Sequence, residues 1–381
     1  MGAIRRGASQ NPDPLVAARE LADQLIGPST GTVVFFCSAR YDLECLQREM
    51  NRYFESVELV GCSTAGEIAA DGYADGSIVG LGFSRDDFVT VAGHIAALGE
   101  TSLARVYDLV RSLVRSLQLR APSASATNTF AMLLIDGMSG IEEPVLSAIA
   151  RELGEIPLVG GSAGDNLRFR ETLVFHGGEF RAGSAVIVLV HTWLPFEVFK
   201  TQHIVASDRK MVVTEADPIK RVVTEINAEP AAEEYARQVG ISAATLDPMM
   251  LATHPLLVRV GGDDYTRSIR EVNAEDGSLT FYCAIDEGIV LAAGSGADML
   301  ADLDRLFTRI ARSIGPPSAI LGFDCIFRRL ELQERRLERD VSRLLADNNV
   351  VGFSTYGEQF HAMHLNQTFS GVAFGEAQAR S

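Results

Sequence analysis

"VGCSTAGE" spans Val60 to Glu67, and "VGFSTYGE" spans Val351 to Glu358. A shorter relative, "VGGSAGDN", spans Val159 to Asn166. The reading of this phrase decides the fold, because the same upstream context comes with each copy. The runs "TVVFFCS" (32–38), "FAMLLID" (130–136) and "SAILGFD" (318–324) are short, apolar and rich in β-branched or aromatic residues. A helix-like stretch follows each run, and then a second apolar run ends in the phrase. Apolar strand, amphipathic helix and buried strand together make a βαβ crossover. The spacings from Val33 to Val60, Ala131 to Val159 and Ala319 to Val351 are close to one another. Period and phrase recur together, so these are repeated structural units.

Strand signals follow the phrases. "DGSIVGLGFSRDDFVTVAGH" (75–94) and "ETLVFHGGEFRAGSAVIVLVH" (171–191) each read as two strands around a turn. The predicted fold class is α/β, with mixed β-sheets, repeated βαβ units and two closely packed lobes. A composition change near residue 205 marks a boundary. Beyond it come a strand, a turn at Asp217-Pro218, a second strand and a helix over "PAAEEYARQVG". "SLTFYCAIDEGIVLAAGSG" (278–296) reads as a hairpin, and "ADMLADLDRLFTRIARSIG" as an amphipathic helix ending at Gly315. "FRRLELQERRLERDVSRLLADN" (327–348) reads as one long crossover helix whose charges form a solvated outer face.

Composition narrows the function. The 381 residues are 47% hydrophobic and 22% charged, as in folded water-soluble proteins, and exceed what one compact core holds. A net charge of -16 argues against a nucleic-acid partner, which needs dense Lys and Arg. The start of the chain has no apolar signal-peptide core, and Arg6 breaks the myristoylation pattern. No apolar run approaches the roughly 18 residues of a membrane helix, so no membrane insertion is expected. An odd set of five cysteines without C-x-x-C suits a reducing, cytoplasmic setting.

The phrase has its own chemistry. Glycine after a buried strand permits a sharp turn, and Ser or Thr beyond it bonds to free main-chain groups. Such turns lie at the carboxyl ends of strands, where α/β proteins often bind ligands. Ser63, Thr64, Gly66 and Glu67, with Ser354, Thr355, Gly357 and Glu358, are therefore candidate edges of one ligand site. The other reading is that they only make and cap tight turns. Hydrolase chemistry is disfavoured: Ala65 replaces the glycine that G-x-S-x-G requires after Ser63, and the other copies carry Gly161 and Phe353 where Cys62 stands. "GGEF" at 177–180 sits between strand runs and reads as a turn.

The paired phrases, "DPIKRVVTEI" at Asp217 to Ile226 and "PAAEEYARQVG" at Pro230 to Gly240 together resemble the FIST family. The resemblance spans about residues 30–375. It implies an N-terminal segment at 1–29, a FIST N-terminal domain at 30–225 and a FIST C-terminal domain at 226–375. It also implies a non-enzymatic sensory protein that answers a small-molecule or gas ligand. Within the family, the layout and "FKTQHIVASDRKMVVTEADP" are similar to NosP, a haem-containing nitric-oxide sensor that regulates a histidine kinase. A haem cofactor and a histidine kinase partner are what that similarity implies.

A sensing haem needs an axial histidine and an apolar pocket. His203 is the first candidate for the iron, with Trp193, Phe196 and Phe199 as aromatic walls; His191 and His176 follow. The alternative is a FIST-type receptor for a small metabolite such as an amino acid, without haem.

Overall fold

The computed structural model describes residues 2–376. The chain is a mixed α/β protein, as expected, and strand pairing divides it into three like units and one insert. Each unit runs strand, helix, strand, helix, strand, hairpin, strand, with the second helix of the third unit broken in two. In the first unit these are Ile4–Ser9, Pro14–Leu25, Thr30–Ser38, Leu43–Tyr53, Glu58–Thr64, the hairpin Glu67–Ala69 with Gly72–Ala74, and Ile78–Ser84. The second begins at Phe88–Ile95 and closes at Ala185–Thr192. The third begins at Phe196–Thr201, resumes at Met299–Ile314 and closes at Phe369–Phe374. The described part of the expected segment 1–29 thus joins the first unit through Ile4–Ser9 and Pro14–Leu25.

The expected crossovers are present. Thr30–Ser38 runs parallel to Glu58–Thr64, Thr129–Ile135 to Leu158–Ser162, and Ala319–Cys325 to Val350–Thr355. These strands are apolar on both faces because both are covered. Val34 and Phe36, Met132 and Leu134, and Leu321 and Phe323 point to a core shared by the three sheets. The alternate residues Val33 and Phe35, Leu133 and Ile135, and Ile320 meet helices. Phe36 packs on Phe353 at 4.5 Å and on Phe323 at 6.2 Å, tying the first sheet to the third. Asp13, Asp42 and Asp298 cap their helices by accepting from backbone N–H groups.

Each short hairpin joins a neighbour's sheet. Glu67–Ala69 pairs with the third unit's Val350–Thr355, Glu358–Phe360 with the second unit's Leu158–Ser162, and Val174–His176 with the first unit's Glu58–Thr64. The exchange is cyclic and closes on itself. Two hairpins expected from sequence are therefore corrected. Ile78–Ser84 and Phe88–Ile95 lie in different sheets, because the turn between them passes from one unit to the next. Leu279–Phe281 and Val290–Gly296 likewise pair with other strands and not with each other.

The insert begins at Ile204, where the composition changes, and ends at Gly296. It has its own sheet and its own core around Met211, Tyr235, Leu256 and Leu291. The expected boundary at 225–226 falls within its strand Val222–Ile226. Core and insert form two packed lobes: Tyr282 meets Phe327 edge-on at 5.4 Å, and the Cys283 thiol donates to Asn366 Oδ1 at 2.9 Å.

The single long helix expected over 327–348 is two, Ile326–Glu334 and Glu338–Asp347. Arg336 adopts φ 59° between them. Leu337 N–H donates to Leu332 O at 2.8 Å and Arg336 N–H to Gln333 O at 3.1 Å, which is a Schellman stop. Leu332 and Leu337 pack in one cluster across it. Nor is this first helix a solvated face, since Arg328, Arg329 and Glu331 are buried.

Candidate ligand-sensing site

The three phrases meet. Gly164 N–H donates to Ser63 O at 3.0 Å, Tyr356 N–H to Ser162 O at 3.2 Å, and Ala65 N–H to Ser354 O at 3.1 Å. In return Ser354 N–H donates to Gly66 O at 2.7 Å and Ser162 N–H to Gly357 O at 2.8 Å; Ser63 N–H donates to Leu173 O at 2.9 Å. Turns distant in sequence thus form one hydrogen-bonded ring. The glycine of each Val-Gly pair has a steric cause. A Cβ on Gly61, Gly160 or Gly352 would lie 2.4, 2.0 or 1.8 Å from the carbonyl oxygen of Phe35, Leu133 or Gly322 on the parallel partner strand. Gly66, at φ 130°, also leaves room for the Arg329 guanidinium.

Turns one and three share one side-chain arrangement. Thr64 Oγ1 bonds the Glu67 carboxyl, whose other oxygen accepts from Ser77 N–H at 3.0 Å and Ser77 Oγ at 2.7 Å. Thr355 Oγ1 bonds Glu358 in the same way, and Thr368 supplies N–H at 3.2 Å and Oγ1 at 2.8 Å. Burial pushes Glu67 up to about 7 and Glu358 up to about 8, against the hydroxyl and amide bonds that pull the other way. The Thr64 hydroxyl also faces Cys37 O at 3.2 Å. One hydroxyl hydrogen cannot serve both acceptors, and a protonated Glu67 resolves this by donating to Thr64.

Turn two departs from this pattern. Ala163 replaces the threonine, and Asp165 takes a different role. Its carboxyl accepts from the Tyr356 hydroxyl and from the N–H groups of Phe169 at 2.9 Å, Arg170 at 2.7 Å and Glu171 at 3.2 Å. Burial pushes Asp165 up, but these bonds outweigh it and hold the carboxyl below the usual range. Tyr356 Oη in turn accepts from Leu167 N–H at 2.9 Å. Asn166, Leu167 and Phe169 all have left-handed backbones, at φ 59°, 61° and 50°. Such clustered strain is found where function holds a loop in place. Phe169 stacks on Tyr356 at 4.8 Å while remaining 37% exposed.

The eight expected turn residues therefore lie in one ring, where Ser63, Thr64, Glu67, Ser354, Thr355 and Glu358 are buried. Sequence reasoning missed Tyr356 and Asp165. Tyr356 fills the variable place of the phrase, and Asp165 is the acid that stands one place early in the shortened copy.

The histidines are dispersed. His203 is buried: its Nδ1 accepts from Arg328 Nη1 at 3.0 Å, and its Nε2 donates to Glu331 Oε2 at 2.7 Å. Burial, reinforced by the Arg328 charge, lowers its pKa despite Glu331. Arg328 also holds Asp324, which accepts from Tyr73 of the exchanged hairpin. Both ring nitrogens of His203 are engaged, so it does not fit an iron ligand without dismantling this chain of bonds. The expected aromatic walls also lie elsewhere: Trp193 is exposed against His191 at 4.8 Å, Phe196 packs on Phe130, and Phe199 on Phe369. His191 is buried with Nδ1 on Asn128 at 3.3 Å and no partner for Nε2. His176 Nε2 faces Glu58 at 3.4 Å. No group of three or more metal-ligating side chains is found among the described residues. Among them, too, no helix is long and apolar enough to cross a membrane.

No curated protein matches this sequence. Among solved structures, a cyanuric acid hydrolase from A. caulinodans aligns at 9% identity and TM-score 0.41, over 98% of this chain and 100% of that one. A second cyanuric acid hydrolase aligns at 10% identity and TM-score 0.38, with the same coverage. The FIST N domain matches residues 31–229 and the FIST C domain residues 231–361. The chain belongs to the FIST family, whose domains are sensory domains of signal transduction proteins.

Proposed function

We propose that this chain binds a small metabolite, such as an amino acid, at the junction of the three turns and reports it by contact with a signalling enzyme. A histidine kinase is the partner class that the NosP resemblance suggests. The observation that carries this reading is the loop beside the ring. Asp165 and Tyr356 hold a left-handed, partly exposed segment directly over the meeting of the turns. A ligand that competes for the Tyr356 hydroxyl or the Asp165 carboxyl would release the segment, and only a ligand that binds the two loop states differently can shift them. The protein acts by binding and not by catalysis; in support, Ser63 Oγ donates to Gly164 O at 2.8 Å and is not paired with a base.

Haem and nitric oxide form the second reading. His191 favours it most among the three candidates, because its buried Nε2 has no partner. Haem titration of the purified protein separates the two readings. A Soret band that persists in His203→Ala and disappears in His191→Ala supports haem. A featureless spectrum, with amino-acid-dependent hydrogen-exchange changes at 165–172, supports the metabolite. No exchange response to any of the common amino acids would sink the metabolite reading.

A further inference from the structure

A cleft of about 620 Å³ lies on the insert, away from the three turns. Its origin is a bulge. Strand Ile204–Asp217 pairs with Val290–Gly296 at Ala206↔Gly294 and again at Lys210↔Ala292, so residues 207–209 stand opposite Ala293 alone and form a bulged arch. Arg209 Nη1 fastens the arch by donating to Gln238 O at 2.8 Å. Bulges of this kind re-aim side chains beside binding sites.

Beneath the arch, Lys210, Ala292 and Leu257 are in register across three strands, and so share one face. Ile289 and the half-exposed Val290 extend that apolar floor. Arg259 and Asp264 on the far side neutralise each other through two bonds, at 2.8 and 2.9 Å. Asp208 sits on the bulged arch, whereas Lys210 adjoins the floor, is exposed and makes no ion pair within 4 Å among the described residues, although its charge helps Arg259 hold the Asp264 carboxyl below its usual range. The volume falls in the range of small-molecule sites.

We propose that this cleft binds a monocarboxylate with an apolar body: the body lies on Ala292 and Val290, with Leu257 packed behind them, and the carboxylate meets Lys210 Nζ. The test is calorimetric titration of the full chain with 4-phenylbutyrate, using 4-phenylbutanol as the uncharged control. The acid is expected to bind at least about tenfold more tightly than the alcohol. Lys210→Gln should bring the acid down to the alcohol's affinity. Ala292→Leu, which fills the trough, should weaken both ligands about tenfold or more at unchanged melting temperature. Tyr356→Phe should leave both affinities alone, which keeps this cleft distinguishable from the turn junction. Equal affinity for acid and alcohol, no measurable binding, or indifference to Lys210→Gln would overturn the proposal; Lys210 is exposed, so that variant is expected to fold.

Discussion

Turns one and three are near copies in chemistry as well as in sequence, and turn two is not. The first and third each close with threonine, glutamate and a hydroxyl residue that immediately precedes the unit's last strand. The second has lost the threonine and one residue of length, and its acid instead holds a loop against Tyr356 of turn three. All three keep the glycine that the partner strand's carbonyl demands. Backbone geometry is therefore common to the repeats, while side-chain chemistry has been kept in two and reassigned in one. A symmetric ring thereby gains one distinctive side.

The largest expected effect tests the common part. Gly61→Ala, Gly160→Ala and Gly352→Ala each place a Cβ against backbone, and each should cost more than about 4 kcal/mol, in the diagnostic tail of single substitutions. Denaturant unfolding of the three variants checks this. One copy that tolerates alanine would break the equivalence.

Next comes the difference between turns. A carboxyl whose folded pKa is raised contributes stability that is complete below its unfolded value near 4.5, and loses it as pH rises through about 7 for Glu67 and about 8 for Glu358. The native protein should therefore be more stable at about pH 5 than at about pH 8.5, each carboxyl contributing on the order of 3 kcal/mol. Glu67→Gln or Glu358→Gln should flatten the denaturation midpoint over that window. Flat behaviour of the native protein itself would show both glutamates ionised throughout.

A smaller effect belongs to turn two. Tyr356→Phe removes a hydroxyl that bonds Asp165 and Leu167, and should cost about 1–3 kcal/mol. Amide exchange should quicken in 165–172 and not in the hairpins after turns one and three. The smallest concerns the crossovers. The first unit uses one helix, Leu43–Tyr53, where the third breaks at Arg336. Arg336→Gly should stabilise by about 0.5–1 kcal/mol, since glycine adopts the left-handed cap without strain, and a rise in melting temperature would report it.

The sequence made the repeated units legible because strand, helix and phrase recur with one period. The clustering of Ser63 to Glu67 with Ser354 to Glu358 followed from that repetition. The exchange of hairpins was hidden, since local pattern says that Glu67–Ala69 is a strand but not which sheet receives it. The break at Arg336 was hidden too, because arginine is a poor marker of a left-handed cap. His203 looked suited to a metal because Trp193, Phe196 and Phe199 stand shortly before it in the sequence. Its real partners, Arg328 and Glu331, lie far along the chain on a helix whose charges read as solvated.

The cyclic hairpin exchange has a consequence for how the molecule comes apart. A repeat cut loose from its neighbours would bear a naked sheet edge on one side and a homeless ribbon on the other. Three identical repeats could cure each other's defects as a closed trimer, whereas one or two could not. In the intact chain the repeats should therefore melt together, because each sheet is completed by another repeat's hairpin.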